Sequence, residues 1–178
     1  MKVEDSAAWA ERLARHYLAP LPRRLDHVAG VVRQAALAAP VADDPDLLLV
    51  AAWLHDIGYA PEVARIGFHP VDGAEFLRDQ GASDRLCALV ANHSCACVEA
   101  RRRGLTIEWD DEETALRDAL WWADMTTTPT GEITDVRERI AEVQERYGLD
   151  HVVSQSVAEA APLLLSAADR TEVRMGLR

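Results

Sequence analysis

Six side chains in this sequence combine cation-donor chemistry with positions on apolar helix faces or at helix ends: His27, His55, Asp56, His69, His93 and Asp124. His55 and Asp56 are adjacent and directly follow the unbroken apolar run Leu47 to Leu54. They therefore fall at the buried end of the element that run forms. A carboxylate there costs several kcal/mol unless something pairs with it. A divalent cation is the obvious partner. For the dipeptide alone, a histidine and an aspartate hydrogen-bonded into the core is the simpler alternative, and His69 or His93 taken singly reads as a satisfied core histidine. Asp124 is harder to satisfy that way, because an unpaired carboxylate on an apolar stripe is penalised. As a set, the four imidazoles and two carboxylates favour metal. Nitrogen and oxygen donors without thiolate suit Mn, Fe, Co, Ni or Zn, and Mg where waters complete the shell.

The elements that position these residues follow from apolar periodicity. Asp44 caps and Pro45 opens a helix that has no wet face through Leu54, which makes it the central element. Gly58 is expected to end it in the left-handed conformation, leaving His55 and Asp56 in its last turn. Upstream, residues 6–19 form a covering helix with Ala7, Ala10, Leu13, Ala14, Tyr17 and Leu18 as its stripe and His16 outside it. A helix from about Arg23 to Ala38 carries Val28, Val31, Val32 and Ala35, with His27 adjoining that face. Downstream, Tyr59 to Phe68 read as an irregular loop. His69-Pro70 opens a helix through Val71, Ala74 and Leu77 that stops at Gly81. Ser83 caps a continuous helix in which Leu86, Leu89, Val90, His93 and Cys97 share one face, ended by Arg101-Arg102-Arg103 and Gly104. From about Glu112, Leu116, Leu120 and Asp124 lie on one stripe beside Trp121 and Trp122. After a turn over 126–131, Ile133, Val136, Ile140, Val143 and Tyr147 mark an amphipathic helix closed by Gly148, and a last helix from Asp150 is interrupted near Pro162. No segment alternates like a strand and no internal repeat is present, so the fold class is all-α.

Length and charge bound the rest. The 178 residues fit one domain, with a motif core over about 23–125 and C-terminal helices over about 132–168. A net charge of −11 argues against broad binding to nucleic acid or anionic membrane. Cys87, Cys95 and Cys97 are too few and too unevenly spaced for a disulfide framework or a paired zinc site, and read as reduced thiols. Met1-Lys2-Val3-Glu4-Asp5 has no signal-peptide character, and no stretch approaches the ~20 apolar residues of a membrane span. The expected location is the cytoplasm.

His27, then His55-Asp56 within Leu-His-Asp-Ile-Gly, then Asp124 after Trp-Trp-Ala resembles the ordered H…HD…D pattern of the HD-domain metal-dependent phosphohydrolase superfamily. The likeness covers roughly Leu25 to Met125. His69-Pro70-Val71-Asp72-Gly73-Ala74 and Asn92-His93-Ser94 are similar to the two extra histidine segments of binuclear members. The resemblance implies an all-α bundle, one metal on His27, His55, Asp56 and Asp124, and a second on His69 and His93 with Asp56 as bridge. Two departures stand out. Tyr59 occupies a position where many members carry lysine, and no GYP triplet follows His69, which argues against a cyclic-dinucleotide phosphodiesterase of that subfamily.

Two cations about 3.5–4 Å apart activate a water and neutralise the attacking and leaving oxygens of a phosphoester, so hydrolysis is the natural reaction class. The implied substrate is a small phosphorylated molecule, a nucleotide or similar compound. Asp56 would touch both ions, and the dipole at a helix N-terminus would keep His69 available as a ligand. Arg23, Arg24 and Arg65 flank the motif and could grip phosphate through a forked guanidinium. Glu62 could protonate the leaving group. Arg101 to Arg103 read as a solvated helix end. Two other functions fit the same residues: a di-iron oxygenase of the same superfamily, and a non-catalytic helical binding module in which the histidines are structural.

Overall fold

The computed structural model describes residues 6–178; the charged segment Met1 to Asp5, read above as lacking signal-peptide character, lies outside them. Among the described residues the architecture is all-α, and the sole extended pairing is an isolated bridge between Thr127 and Ile133. The central element is α3 (Pro45–Leu54). Asp44 caps it by accepting from the Leu47 backbone N–H at 3.0 Å, and every residue from Leu47 to Leu54 except Leu49 is buried. Burial of each large aliphatic side chain stabilises by roughly 1.5–3 kcal/mol, which lets this helix carry a polar terminus inside the core. It packs against α1 (Ala7–Tyr17), α2 (Pro22–Ala38), α5 (Asp84–Ala91) and α7 (Ala115–Met125).

The central helix ends differently from the sequence expectation. Leu54 is its last residue, His55 is the cap, and a 3-10 turn over Ile57–Tyr59 follows. Gly58 sits inside that turn and is not left-handed. Its role is close approach. A Cβ at Gly58 would lie 2.0 Å from the His69 carbonyl oxygen and 2.7 Å from the Gly73 nitrogen, so only glycine lets α4 (His69–Asp79) meet the end of α3. The glycine thereby brings His69 up to His55 and Asp56.

The expected single helix from Ser83 to Arg103 is two. Ser83 caps α5 as anticipated, but the chain leaves the helix at Asn92, passes through a 3-10 turn over His93–Cys95, and resumes as α6 (Ala96–Arg103). Ser94 and Cys95 adopt left-handed φ values of 48° and 61°, costly for residues with side chains. The break carries Ser94 Oγ to the Asp124 carboxylate. The rotation also puts Cys97 on the surface rather than on the inward stripe.

The helix α7 is buried from Leu116 to Met125, so its stripe reading understates its coverage. The turn after it presses on α2: a Cβ at Gly30 would lie 2.6 Å from the Gly131 carbonyl oxygen, and Arg33 donates to that same oxygen at 2.8 Å. Ile133 precedes α8 (Val136–Tyr147) and is exposed, because Asp135 caps the helix two residues later. The final helix, α9 (Val152–Arg174), runs through Pro162 without the expected interruption. The proline and Ala158, whose carbonyl loses its bond, are both exposed, while Ala160, Leu164, Ala167 and Ala168 stay packed inward. Packing on the core outweighs one missing hydrogen bond. α9 is also tied to α7 by buried Asp118, which accepts from Arg117, Arg170 and Arg174.

Candidate metal centre

The six donors come from five helices, most of them at helix ends. His27 lies on α2, His55 and Asp56 follow α3, His69 opens α4, His93 follows α5, and Asp124 lies in the last turn of α7. Three rings are aimed by backbone carbonyls: Nδ1–H of His27 donates to Thr128 at 2.9 Å, that of His55 to Ala52 at 2.8 Å, and that of His93 to Val90 at 2.7 Å. This fixes the tautomer and leaves the Nε2 lone pairs pointing inward.

The inward atoms fall into two groups that meet at Asp56. Its Oδ2 lies 3.7 Å from His27 Nε2 and 3.5 Å from His55 Nε2. Its Oδ1 lies 3.4 Å from His69 Nε2 and 3.6 Å from His93 Nε2. Asp124 joins the first group, with Oδ1 at 3.1 Å from His27 Nε2 and 3.9 Å from His55 Nε2, while its Oδ2 accepts from Ser94 Oγ. Ligand atoms of His27, His55 and Asp56, and separately of Asp56, His69 and His93, each lie close enough together to share one ion.

These residues fit divalent cations on their own chemistry. Imidazole lone pairs and carboxylate oxygens are all acceptors, and facing one another they require positive charge between them. His55 Nε2 is fully buried with no hydrogen-bond partner. His69 Nε2 and His93 Nε2 face each other at 3.2 Å. Without metal, protons and Arg24 must supply the charge. Burial pulls the His55 ring down, but the Asp56 carboxylate beside it, with Asp124 behind, pushes it up to about 9. Burial opposes ionisation of Asp56, yet His55 and Arg24 hold it well below the usual carboxylate range. Asp124 is likewise held low against burial by its hydrogen bond from His27 and by His55. Burial drives His69 well below the ordinary histidine value, with Asp56 opposing the shift and His93 adding to it. That ring stays neutral and available.

Arg24 is the one expected phosphate contact that reaches the centre. Its Nη1 donates to Asp56 Oδ2 at 2.6 Å, its guanidinium lies 4.0 Å over the Tyr59 ring, and Tyr59 stacks on His69 at 3.9 Å. The tyrosine that replaces lysine therefore supports an arginine from another helix. Arg23 and Glu62 are exposed and do not line the cavity at the centre. Arg65 also lies outside it, paired with Asp79 at 2.7 Å. Helix α4 and the turn 60–67 carry Arg65 and Glu62 outward because Asp72 pins that turn, accepting from the Ile66 and Gly67 N–H groups at 2.9 and 3.0 Å. Conversely, Arg103, expected at a solvated helix end, lines the cavity, while Arg101 and Arg102 pair with Glu159 on the surface. Ser94, Arg146, Tyr147 and His151 also line it, although nothing in the sequence marks any of them as a site residue. The left-handed turn that delivers Ser94 has no glycine to mark it.

A family model described as HD domain matches residues 24–171, most of the chain. The chain belongs to the HD domain family. Neither a curated protein nor a solved structure matches it. Members of the HD superfamily are mostly metal-dependent hydrolases, and the clustered histidines and aspartates are consistent with an HD metal site. Among the described residues, no helix of this HD domain is long and apolar enough to cross a membrane.

Proposed function

We propose that this HD domain is a binuclear metal-dependent phosphohydrolase that cleaves the phosphoester of a small molecule. The observation that carries the proposal is the division of Asp56, whose two oxygens face two separate pairs of imidazoles. His27, His55, Asp56 and Asp124 would hold one ion, and His69, His93 and Asp56 the other. When bound, a pair of divalent cations supplies charge neutralisation at the phosphoryl oxygens and acidifies a water for attack on phosphorus. The remaining work falls to the chain. The backbone carbonyls of Thr128, Ala52 and Val90 hold three rings in the ligating tautomer. Ser94 orients Asp124 through its hydroxyl. Arg24, braced by Tyr59, orients Asp56 and keeps further N–H donors for a phosphoryl oxygen. Tyr59 itself stays a neutral phenol, because burial and Asp56 raise it above the usual range.

The test is reconstitution of metal-free protein with Mn, Fe(II), Co, Ni, Zn or Mg, followed by metal analysis and phosphate release from a panel of monoesters and diesters. The expected result is about two ions per chain and turnover with at least one metal. Asp56→Ala should lose both ions and reduce turnover by orders of magnitude. Wild-type protein that retains no metal, or an Asp56→Ala variant with undiminished turnover, would overturn the proposal.

A further inference from the structure

Cys95 and Cys97 take no part in the chemistry described so far, yet the chain sets their side chains against each other. The two sulfurs lie 3.9 Å apart. Side chains two residues apart on a regular helix do not face each other. The contact exists because Cys95 adopts a left-handed φ of 61° just before α6 begins, while Cys97 lies in the first turn of that helix.

The two thiols open onto opposite sides of one wall. Cys95 is buried and lines the cavity at the metal centre, whereas Cys97 is exposed and lines a second, more open cavity with Asn92, Leu105, Trp109 and Asp111. A solute therefore reaches Cys97 without passing the cation donors. The hydrogen bond to Cys95, with the Val98 N–H and Arg101 in support, holds the Cys97 thiol below the ordinary range against burial and Asp111. Exposure and thiolate character make Cys97 the attacking sulfur and buried Cys95 its resolving partner. Cys87 is buried on α5 and lines neither cavity.

The turn that holds Cys95 also serves the metal centre. His93 and Ser94 directly precede it, the ring aimed by the Val90 carbonyl and the hydroxyl donating to Asp124. A disulfide holds its sulfurs about 2.0 Å apart, so closure must draw these two together by roughly 2 Å. Cys97 belongs to a helix packed along α9, while Cys95 belongs to a short turn with two left-handed residues. The turn is the side that yields.

We propose that Cys95 and Cys97 form a modification site for hydroperoxides, whose reversible disulfide draws the 93–95 turn away from the metal centre. The Cys97 thiolate attacks the peroxide. An S–O bond forms as the O–O bond breaks, and water or an alcohol leaves with the proton that Cys97 gave up. The Cys95 sulfur then attacks that of Cys97. The S–S bond forms, the S–O bond breaks, and hydroxide leaves with the Cys95 proton as water. Two thiols are oxidised by two electrons, one peroxide is reduced, and an external dithiol reverses the change. The effect on metal rests on the binuclear reading; the disulfide itself does not.

The experiment treats the metal-free full chain with hydrogen peroxide, removes the oxidant and reconstitutes with manganese, which prefers oxygen ligands to thiolates. The intact mass should fall by two hydrogen atoms, with fragmentation placing the link between Cys95 and Cys97. Manganese should fall from about two ions per chain to about one, as His93 leaves its ion, and dithiothreitol should restore both readings. Cys97→Ser, at an exposed position, should form no link and keep its full manganese after peroxide, whereas Cys87→Ala should respond like wild type. Absence of the Cys95–Cys97 link, or a complete link with unchanged manganese content, would overturn the proposal. A link formed in protein that holds no manganese before or after treatment would support the modification site and overturn the binuclear reading instead.

Discussion

Replacing Gly58 by alanine should damage the metal centre from a position that touches no ligand atom. The added Cβ would lie 2.0 Å from the His69 carbonyl oxygen, 2.7 Å from the Gly73 nitrogen and 2.8 Å from the His69 carbonyl carbon. All three are backbone atoms, so no side chain can swing aside. Restoring ordinary contact, 3.4 Å or more, requires the first turn of α4 to retreat from the end of α3. That motion carries His69 away from Asp56 Oδ1, now 3.4 Å from its Nε2. Overpacking of this kind costs about 1–3 kcal/mol, and rigid neighbours put Gly58→Ala at the upper end. At about 2–4 °C per kcal/mol for a domain of this size, a cost near 3 kcal/mol should lower the thermal midpoint by roughly 6–12 °C. Gly73→Ala is the control. Its Cβ would meet Gly58 N at 3.2 Å and the Ile57 and Val90 side chains at 3.3 Å, contacts that yield with small shifts. Alanine also gains about 1 kcal/mol over glycine inside a helix, so the net change should be near zero. Thermal melts of the metal-free proteins and metal content after reconstitution read both variants, with Gly58→Ala expected to retain about one ion. A Gly58→Ala protein that melts within 2 °C of wild type and keeps its full metal content would refute this account of how α4 is positioned, given the ~1–3 kcal/mol scale of overpacking.

Stability of the metal-free protein should depend on pH from both sides. His55 is raised to about 9, so its contribution is fully present below its unfolded value of about 6.5 and is lost as pH climbs through 9. His69, Asp56 and Asp124 are depressed, so their contributions are lost as pH falls, that of His69 below about 6.5 and those of the carboxylates below about 4. A series of melts should therefore peak near neutrality, and metal should abolish the alkaline loss by replacing the proton on His55; a profile flat from pH 6 to 10 would contradict the assignment, since ~6.5 is the unperturbed value. Asp118→Asn should lower stability by about 1–3 kcal/mol, because Arg117 keeps Asp111 while exposed Arg170 and Arg174 keep their hydration. Its metal content should be unchanged, since it lies about 9 Å from Asp124 along α7.

Much of this site was legible in the sequence because burial makes polar residues conspicuous. Leu47 to Leu54 announced a buried helix, and His55-Asp56 at its end demanded a partner whatever the tertiary structure. Asp124 stood out for the same reason on the apolar stripe with Leu116 and Leu120. The rest depended on contacts that no local pattern encodes. The apolar spacing of Leu86, Leu89 and Val90 continued in register through His93, so the left-handed break at Ser94 was invisible, although it delivers a hydroxyl to Asp124. Gly58 carried the composition of a helix terminator but serves as a gap between two helices. Sequence proximity made Glu62 and Arg65 candidates, yet the turn pinned by Asp72 carries them outward. The outer wall of the cavity, Tyr147 and His151, lies far from every motif in sequence and joins it only through the packing of α8 and α9.

The central claim is that Asp56 bridges two cations, and anomalous diffraction from crystals grown with manganese tests it most directly. The account predicts two peaks about 3.5–4 Å apart, one beside each Asp56 oxygen, the first within reach of His27, His55 and Asp124 and the second within reach of His69 and His93. A single peak at fully loaded manganese, or two peaks neither of which touches Asp56, would contradict it.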